Sequence, residues 1–343
     1  MELHFTRTNG PVDKAIDELT AMVGDISHPE IIREMILAAL KAGIEHASRE
    51  DMRLMNYTMK EMRFTSKIFG EYSDIRKVTV FGSARTQTDE PVYAIAKQFG
   101  KRLANAGYMV ITGAGGGIMQ AVNEGAGPEK SFGVNITLPF EQSPNPVLQG
   151  NPRLITYRYF FNRKVAFVKE ADAIALFPGG FGTLDEAMET LTLLQNGKHS
   201  PLPLLLIDEP GGTYWLRWVK FLRHELLSEG YISESDFDLF ELVDSVEEAV
   251  EKINFFYRRY HSLRYVDGKL VIRMISPLDA DTVAKLKVDF SDVLSAAGDM
   301  VLSSPLPREK DEPQLADLPR LVLDFNRKDF GRLRKLIQEI NIY

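Results

Sequence analysis

"AIALFPGGFGTLDEAMETLTLLQ", residues 173–195, runs from five apolar residues through a turn with three glycines into a segment of helical period. A strand with no polar residue is buried on both faces, as in a parallel sheet held between two layers of helices. Beyond the turn, Leu184, Ala187, Met188, Leu191 and Leu194 fall on one helical face. The same grammar repeats on both sides of this stretch. Upstream lie the strand "KVTVFGS", a helix over 91–106, the strand "YMVIT", the loop and helix "GGGIMQAVNEGA", the strand "SFGVNITL" and the helix "YFFNRKVAFVKEA". Downstream come "LPLLLID" and "YWLRWVKFLRHELL". The pattern over 75–260 predicts an α/β domain, a Rossmann-like doubly wound parallel sheet with helices on both faces.

Two further regions flank it. Residues 1–74 read as helical, with Met52, Met55, Met59 and Met62 at helical spacing. That stripe is expected to pack against the main domain or a second subunit, because methionine fills irregular apolar gaps. Residues 261–343 read as a small α+β unit. Asp267-Gly268 between "SLRYV" and "KLVIRMI" predicts a two-residue hairpin. A helix over 281–294, the strands "MVLSS" and "RLVLDF" and the helix "GRLRKLIQEI" follow, with "PREKDEPQLADLP" as a loop.

Composition narrows the function. The net charge of -7, from 41 basic and 48 acidic residues, argues against a general nucleic-acid binder, whose surface needs a basic excess. With no cysteine there is no disulfide framework, thiolate metal site or cysteine nucleophile, and a reducing compartment fits. No apolar run of about 18 residues and no basic-then-apolar leader stands out, so a cytoplasmic protein away from membranes is expected. No His/Asp/Glu cluster has metal-ligand spacing, and neither a metal nor a cofactor is expected.

The glycine-rich strand-to-helix turns "TGAGGGIMQA" (112–121) and "PGGFGTLDEA" (178–187) are where the chemistry concentrates. At such turns backbone N–H groups and the positive end of a helix dipole converge, and glycine admits a ligand close to the backbone. Gly115, Gly116 and Gly117 of the first turn, and Gly179, Gly180, Gly182 and Thr183 of the second, are therefore phosphate-binding candidates. Neither turn completes G-x-G-x-x-G, since Ile118 stands at the last position, and no G-x-x-x-x-G-K-[ST] occurs. Both absences argue against a dinucleotide ligand and against a nucleoside triphosphatase. Thr183-Leu184-Asp185-Glu186 also matches a capping box, which would make the two carboxylates of the first helical turn structural. Arg158, Arg163 and Lys164 lie on or near the preceding helix, where they either face solvent or neutralise a phosphate and hold a nearby Glu ionised.

Arg163-Lys164 fourteen residues before Pro178, the signature "PGGFGTLDE", the turn "GSAR" (82–85) and "IMQAVNEGA" (118–126) together resemble the Lonely Guy family of nucleoside 5′-monophosphate phosphoribohydrolases. The first glycine loop and the segment "GVNITLPFEQ" depart from the commoner pattern and resemble the longer bacterial members. The resemblance implies Arg163 and Glu186 as the catalytic pair, Gly180, Gly182 and Thr183 as the phosphate cradle, and Ser83 and Arg85 beside them. It also implies hydrolysis of AMP or a related monophosphate, including cytokinin riboside monophosphates, to free base and ribose 5-phosphate, by a homodimer or higher oligomer. Although members are often labelled lysine decarboxylase, no Ser-x-His-Lys pattern for a pyridoxal Schiff base is present. The alternative is a non-catalytic carrier of a nucleotide or of the molybdenum cofactor on a similar fold, which would need the glycines but not the Glu.

Overall fold

The computed structural model describes residues 5–45, 48–138 and 143–343, so residues 139–142 of the "GVNITLPFEQ" segment lie outside the described residues. Two compact units result, Met1–Phe64 and Thr65–Tyr343. The first holds helices α1 (Pro11–Val23), α2 (Pro29–Ile44) and most of α3 (Arg49–Gly70). Proline opens α1 and α2, where its missing N–H costs nothing. Buried Arg33 ties these two helices together through Asp13 at 3.0 Å and the Phe5 carbonyl at 2.6 Å. On α3, Met52, Met55 and Met59 are exposed and Met62 is half-buried.

The second unit begins inside α3, because Phe69 stacks on Phe132 of the sheet with ring centroids 4.3 Å apart. This unit starts at Thr65. From there the chain alternates: β1 (Lys77–Phe81), α4 (Pro91–Asn105), β2 (Met109–Thr112), α5 (Ile118–Ala126), β3 (Ser131–Ile136), β4 (Leu154–Tyr157), α6 (Phe160–Lys169) and β5 (Ala173–Leu176). Then follow α7 (Phe181–Gln195), β6 (Leu204–Ile207), α8 (Tyr214–Phe221), which continues as a π-helical turn Leu222–Leu227, β7 (Glu241–Val243) and α9 (Val246–Phe256). The sheet is parallel throughout, in the order β4-β3-β2-β1-β5-β6-β7.

Five of these strands carry the buried apolar runs that predicted them. The outermost two, β4 and β7, escape the sequence reading because edge strands are short and half-exposed: Thr156 and Leu242 face solvent. One face of the sheet packs on Tyr93, Phe99 and Leu103 of α4, Ile118 and Val122 of α5, and Ala249 and Ile253 of α9. Strand order reverses at β1, which sits between β2 and β5. The carboxyl ends of β1 and β5 thus flank the topological switch point where ligands bind in open α/β sheets.

The tail builds a four-stranded antiparallel sheet, β10-β11-β9-β8, from β8 (Tyr260–Val266), β9 (Lys269–Met274), β10 (Met300–Ser303) and β11 (Arg320–Leu323), packed on α10 (Ala280–Asp289) and α11 (Phe330–Ile342). Asp267 and Gly268 turn the hairpin with φ of 49° and 85°, as the dipeptide predicts. Helix α10 stops at Asp289, short of the expected 294. The tail lies in the same compact unit as the parallel sheet. Buried Arg334 of α11 reaches Glu241 of β7 at 2.6 Å and the carbonyl of Asp238 at 2.7 Å, fastening it to the parallel sheet. The acidic loop is also fastened: Glu309 is buried between Arg273 at 2.7 Å and Arg320 at 3.4 Å. Among the described residues no helix is long and apolar enough to cross a membrane.

Candidate active site

At the switch point the turn after β1 lies between the two glycine loops and joins them. Ser83 donates its N–H to the Pro178 carbonyl at 3.1 Å and accepts from the Ile118 N–H at 3.0 Å. The Ser83 hydroxyl accepts from the Arg85 N–H at 3.1 Å, closing the turn. Above it opens a cavity of about 690 Å³. Its walls are the turn 82–85, the start of α7, Arg163, Glu186 and the apolar side chains Phe81, Met119, Phe160, Phe167 and Phe181.

The loop "PGGFG" delivers backbone donors to this cavity. Helix α7 takes Gly180 as its N-cap, and no side chain caps it. Among the described residues the N–H groups of Gly180, Phe181 and Gly182 have no acceptor, whereas those of Thr183 and Leu184 return to the Gly180 carbonyl at 3.1 Å each. These donors are the unsatisfied first turn of a helix, and they coincide with the positive end of its dipole. A Cβ on Gly180 or Gly182 would meet nothing within 4 Å, so glycine here keeps the donors bare rather than relieving a clash. Gly179 is different: a Cβ there would lie 2.1 Å from the Thr183 hydroxyl, so only glycine lets the threonine fold over the loop.

This geometry decides between cap and active site. Thr183 is the third residue of α7 and Glu186 the sixth, so no capping box forms, and no acidic residue lies in the first turn. Glu186 is instead 8% exposed, lines the cavity, and leaves Oε2 buried without a hydrogen-bond partner among the described residues. Burial pushes its carboxyl up from 4.5 to about 7, against the opposing pull of Lys164 and Arg163.

Arg163 and Lys164 project from α6 to different ends. The Arg163 Nε donates to the Val134 carbonyl of β3 at 2.8 Å, and its guanidinium lies over Phe167, 5.0 Å from the ring centroid. Its Nη2 occupies the space a side chain on Gly113 would need. Burial lowers its pKa, with Glu186 acting in the opposite direction. Lys164 is the cation nearest the acid: its Nζ lies 2.8 Å from Asp185, 3.9 Å from Glu186 and 2.7 Å from Glu189.

The expected site residues fall in different places. Lys164 is engaged by three carboxylates of α7 and does not line the cavity, so it is not placed as a phosphate ligand. Desolvation outweighs the pull of the nearby cations on Glu186, so its carboxyl is raised to about 7 rather than held in the ordinary carboxylate range. Ser83, Arg85, Gly180, Gly182, Thr183, Arg163 and Glu186 do converge on one cavity. Gly115, Gly116 and Gly117 do not reach it. Gly117, at φ +61°, approaches the Ser83 carbonyl where a Cβ would lie 2.2 Å away, and Gly115 accepts from buried Asn145 at 3.1 Å. The first glycine loop therefore buttresses the β1 turn, and Gly113 alone of its glycines borders the cavity. Arg158 is exposed over Tyr159 and stays outside.

The sequence reading missed Glu189, although Asp185 and Glu189 stand four apart on α7 and so face the same side. It also missed the apolar wall, for which Phe160, three residues ahead of Arg163 on α6 and so on the same side of the helix, is a local signal.

Residues 117–253 match the family model described as possible lysine decarboxylase. Over 190 residues, 54% of this chain and 79% of the other, the chain is 30% identical to a probable cytokinin riboside 5′-monophosphate phosphoribohydrolase of Oryza sativa subsp. japonica. The chain belongs to the Lonely Guy family. This Lonely Guy protein is also 32% identical over 151 residues to a pyrimidine/purine nucleotide 5′-monophosphate nucleosidase of Escherichia coli strain K12, covering 40% of this chain and 33% of that one. Both relatives are hydrolases of nucleotide 5′-monophosphates. Among solved structures, the molybdenum cofactor carrier protein of Chlamydomonas reinhardtii aligns at 16% identity and a TM-score of 0.36, over 52% of this chain and 96% of that one.

Proposed function

We propose that this chain hydrolyses the N-glycosidic bond of a nucleoside 5′-monophosphate, AMP or a close relative, to free base and ribose 5-phosphate. The observation that carries the reading is a buried carboxyl, Glu186, with one oxygen unpartnered in the same cavity as three backbone donors without acceptors. The donors of Gly180, Phe181 and Gly182 suit the phosphate, with Arg85 and Arg163 adding positive charge. Phe81, Met119, Phe160 and Phe167 offer an apolar wall to the base.

Cleavage of the C1′–N bond develops an oxocarbenium-like ribose, which water captures at C1′ while the base leaves with the bonding pair and gains a proton. A carboxyl that titrates near 7 suits this reaction, because it is populated in both states at neutral pH. Ionised, Glu186 stabilises the ribosyl cation, as nucleophile or as base toward water; protonated, it is the source of the proton for the base. A pure carrier has no use for such a group, since an unpaired buried carboxyl costs stability.

Chromatography of a panel of purine, pyrimidine and cytokinin riboside monophosphates incubated with the protein, without added metal, tests the reading. Base and ribose 5-phosphate are expected from at least one monophosphate, with the matching nucleoside far slower. No base from any monophosphate refutes it.

A further inference from the structure

The second glycine loop does not hold its donors in place alone. The Tyr214 hydroxyl, from the first residue of α8, donates to the Gly179 carbonyl at 2.6 Å. In a trans peptide the C=O and N–H point in opposite directions. Fastening the Gly179 oxygen to Tyr214 therefore turns the Gly180 N–H away from that hydroxyl, and Gly180 lines the cavity.

Tyr214 is itself held at two points, one of them through a neighbour that is anchored in turn. Its backbone N–H donates to Asp208 Oδ2 at 2.9 Å, just past the end of β6. Its ring meets Trp215 edge-on, with centroids 4.8 Å apart. Trp215, 1% exposed, donates its indole N–H to the Ile207 carbonyl at 3.2 Å. The tyrosine is thus a strut between the rigid end of β6 and a glycine pair that has few rotational constraints of its own.

We infer that Tyr214 is a positioning residue, whose hydroxyl fixes the Gly179–Gly180 peptide so that the loop presents its N–H groups to a phosphate. The inference rests on the proposed phosphate-directed reading of the cavity and deepens it. Tyr214 touches the loop and does not line the cavity, so it acts on the ligand through the backbone.

Tyr214→Phe removes one oxygen and keeps the ring, so the fold is expected to persist. Binding of inorganic phosphate and of ribose 5-phosphate, measured by calorimetry on wild type and variant, should weaken roughly three- to tenfold, the scale of one hydrogen bond. With a substrate in hand, KM should rise by a similar factor while kcat stays within about twofold, whereas a merely structural role would lower Tm and the active fraction and leave KM alone. Unchanged phosphate affinity in Tyr214→Phe, or no phosphate binding by wild type, overturns the inference. Because phosphate binding is read without turnover, a protein that releases no base yet binds phosphate in a Tyr214-dependent way refutes the proposed hydrolysis and keeps this inference. Tyr214→Leu, which also removes the ring, should weaken phosphate binding at least as much; tighter binding in that variant would likewise overturn it.

Discussion

Replacing Glu186 by Gln separates a structural carboxyl from a catalytic one through stability as well as rate. A carboxyl whose pKa rises on folding binds its proton more tightly in the folded chain, so ionising it opposes folding. For Glu186 the rise is from 4.5 to about 7. The opposition is absent below the unfolded value of 4.5, grows as pH increases and is complete above about 7. At pH 8 it amounts to about 3 kcal/mol, and at pH 5 to less than about 1 kcal/mol. Gln has the size of the protonated acid and no ionisation. Glu186→Gln should therefore be more stable than wild type by about 2 to 3 kcal/mol at pH 8, with most of that gain gone at pH 5. Urea unfolding followed by the fluorescence of Trp215 and Trp218, the chain's two tryptophans, reads this at both pH values. Base release should meanwhile fall roughly 10²- to 10⁴-fold. A variant no more stable at pH 8 than wild type, or equally stabilised at both pH values, would refute the burial argument; full activity would refute the catalytic one.

Other expectations follow from neighbouring groups. Activity should show an ionisation near pH 7, lost above it if protonated Glu186 limits the rate and lost below it if the carboxylate does. Lys164→Met removes the nearest cation, at 3.9 Å, and leaves Asp185 and Glu189 unbalanced, so that ionisation should move up by about one unit; a pH–rate profile that does not shift contradicts the geometry. Arg163→Ala should cost roughly 10- to 10³-fold in kcat/KM, measured by base release. Arg334→Ala removes the guanidinium that holds Glu241 and the Asp238 carbonyl, while Glu241 keeps Lys252 at 2.7 Å, so urea titration should show about 1 to 3 kcal/mol of lost stability, with the tail and the sheet loosening together. The chain is expected to form a homodimer or higher homo-oligomer, given exposed Met52, Met55 and Met59 and the 94% exposed Phe181 at the cavity; sedimentation showing only monomer at micromolar concentration would refute that.

The sequence by itself determined the alternation of strand, glycine turn and helix. Those signals are local: apolar runs such as "LPLLLID", helical periods and turn dipeptides such as Asp267-Gly268 report backbone preferences within a few residues. It also marked Arg163, Glu186 and the second glycine loop, because their spacing matches a known signature. Strands β4 and β7 were not legible, since short edge strands with exposed positions carry little apolar pattern. Only the tertiary structure decided what each polar group does. Strand order brings the turn after β1 against a loop almost a hundred residues later, and this converts the first glycine loop into a buttress and the second into a row of donors. Packing of α6 against α7 hands Lys164, rather than Arg163, to the acids of α7. Tyr214 reaches Gly179 from 35 residues away. The Glu186 proton, finally, is set by desolvation, which depends on what surrounds the carboxyl in space and has no counterpart in the order of residues along the chain.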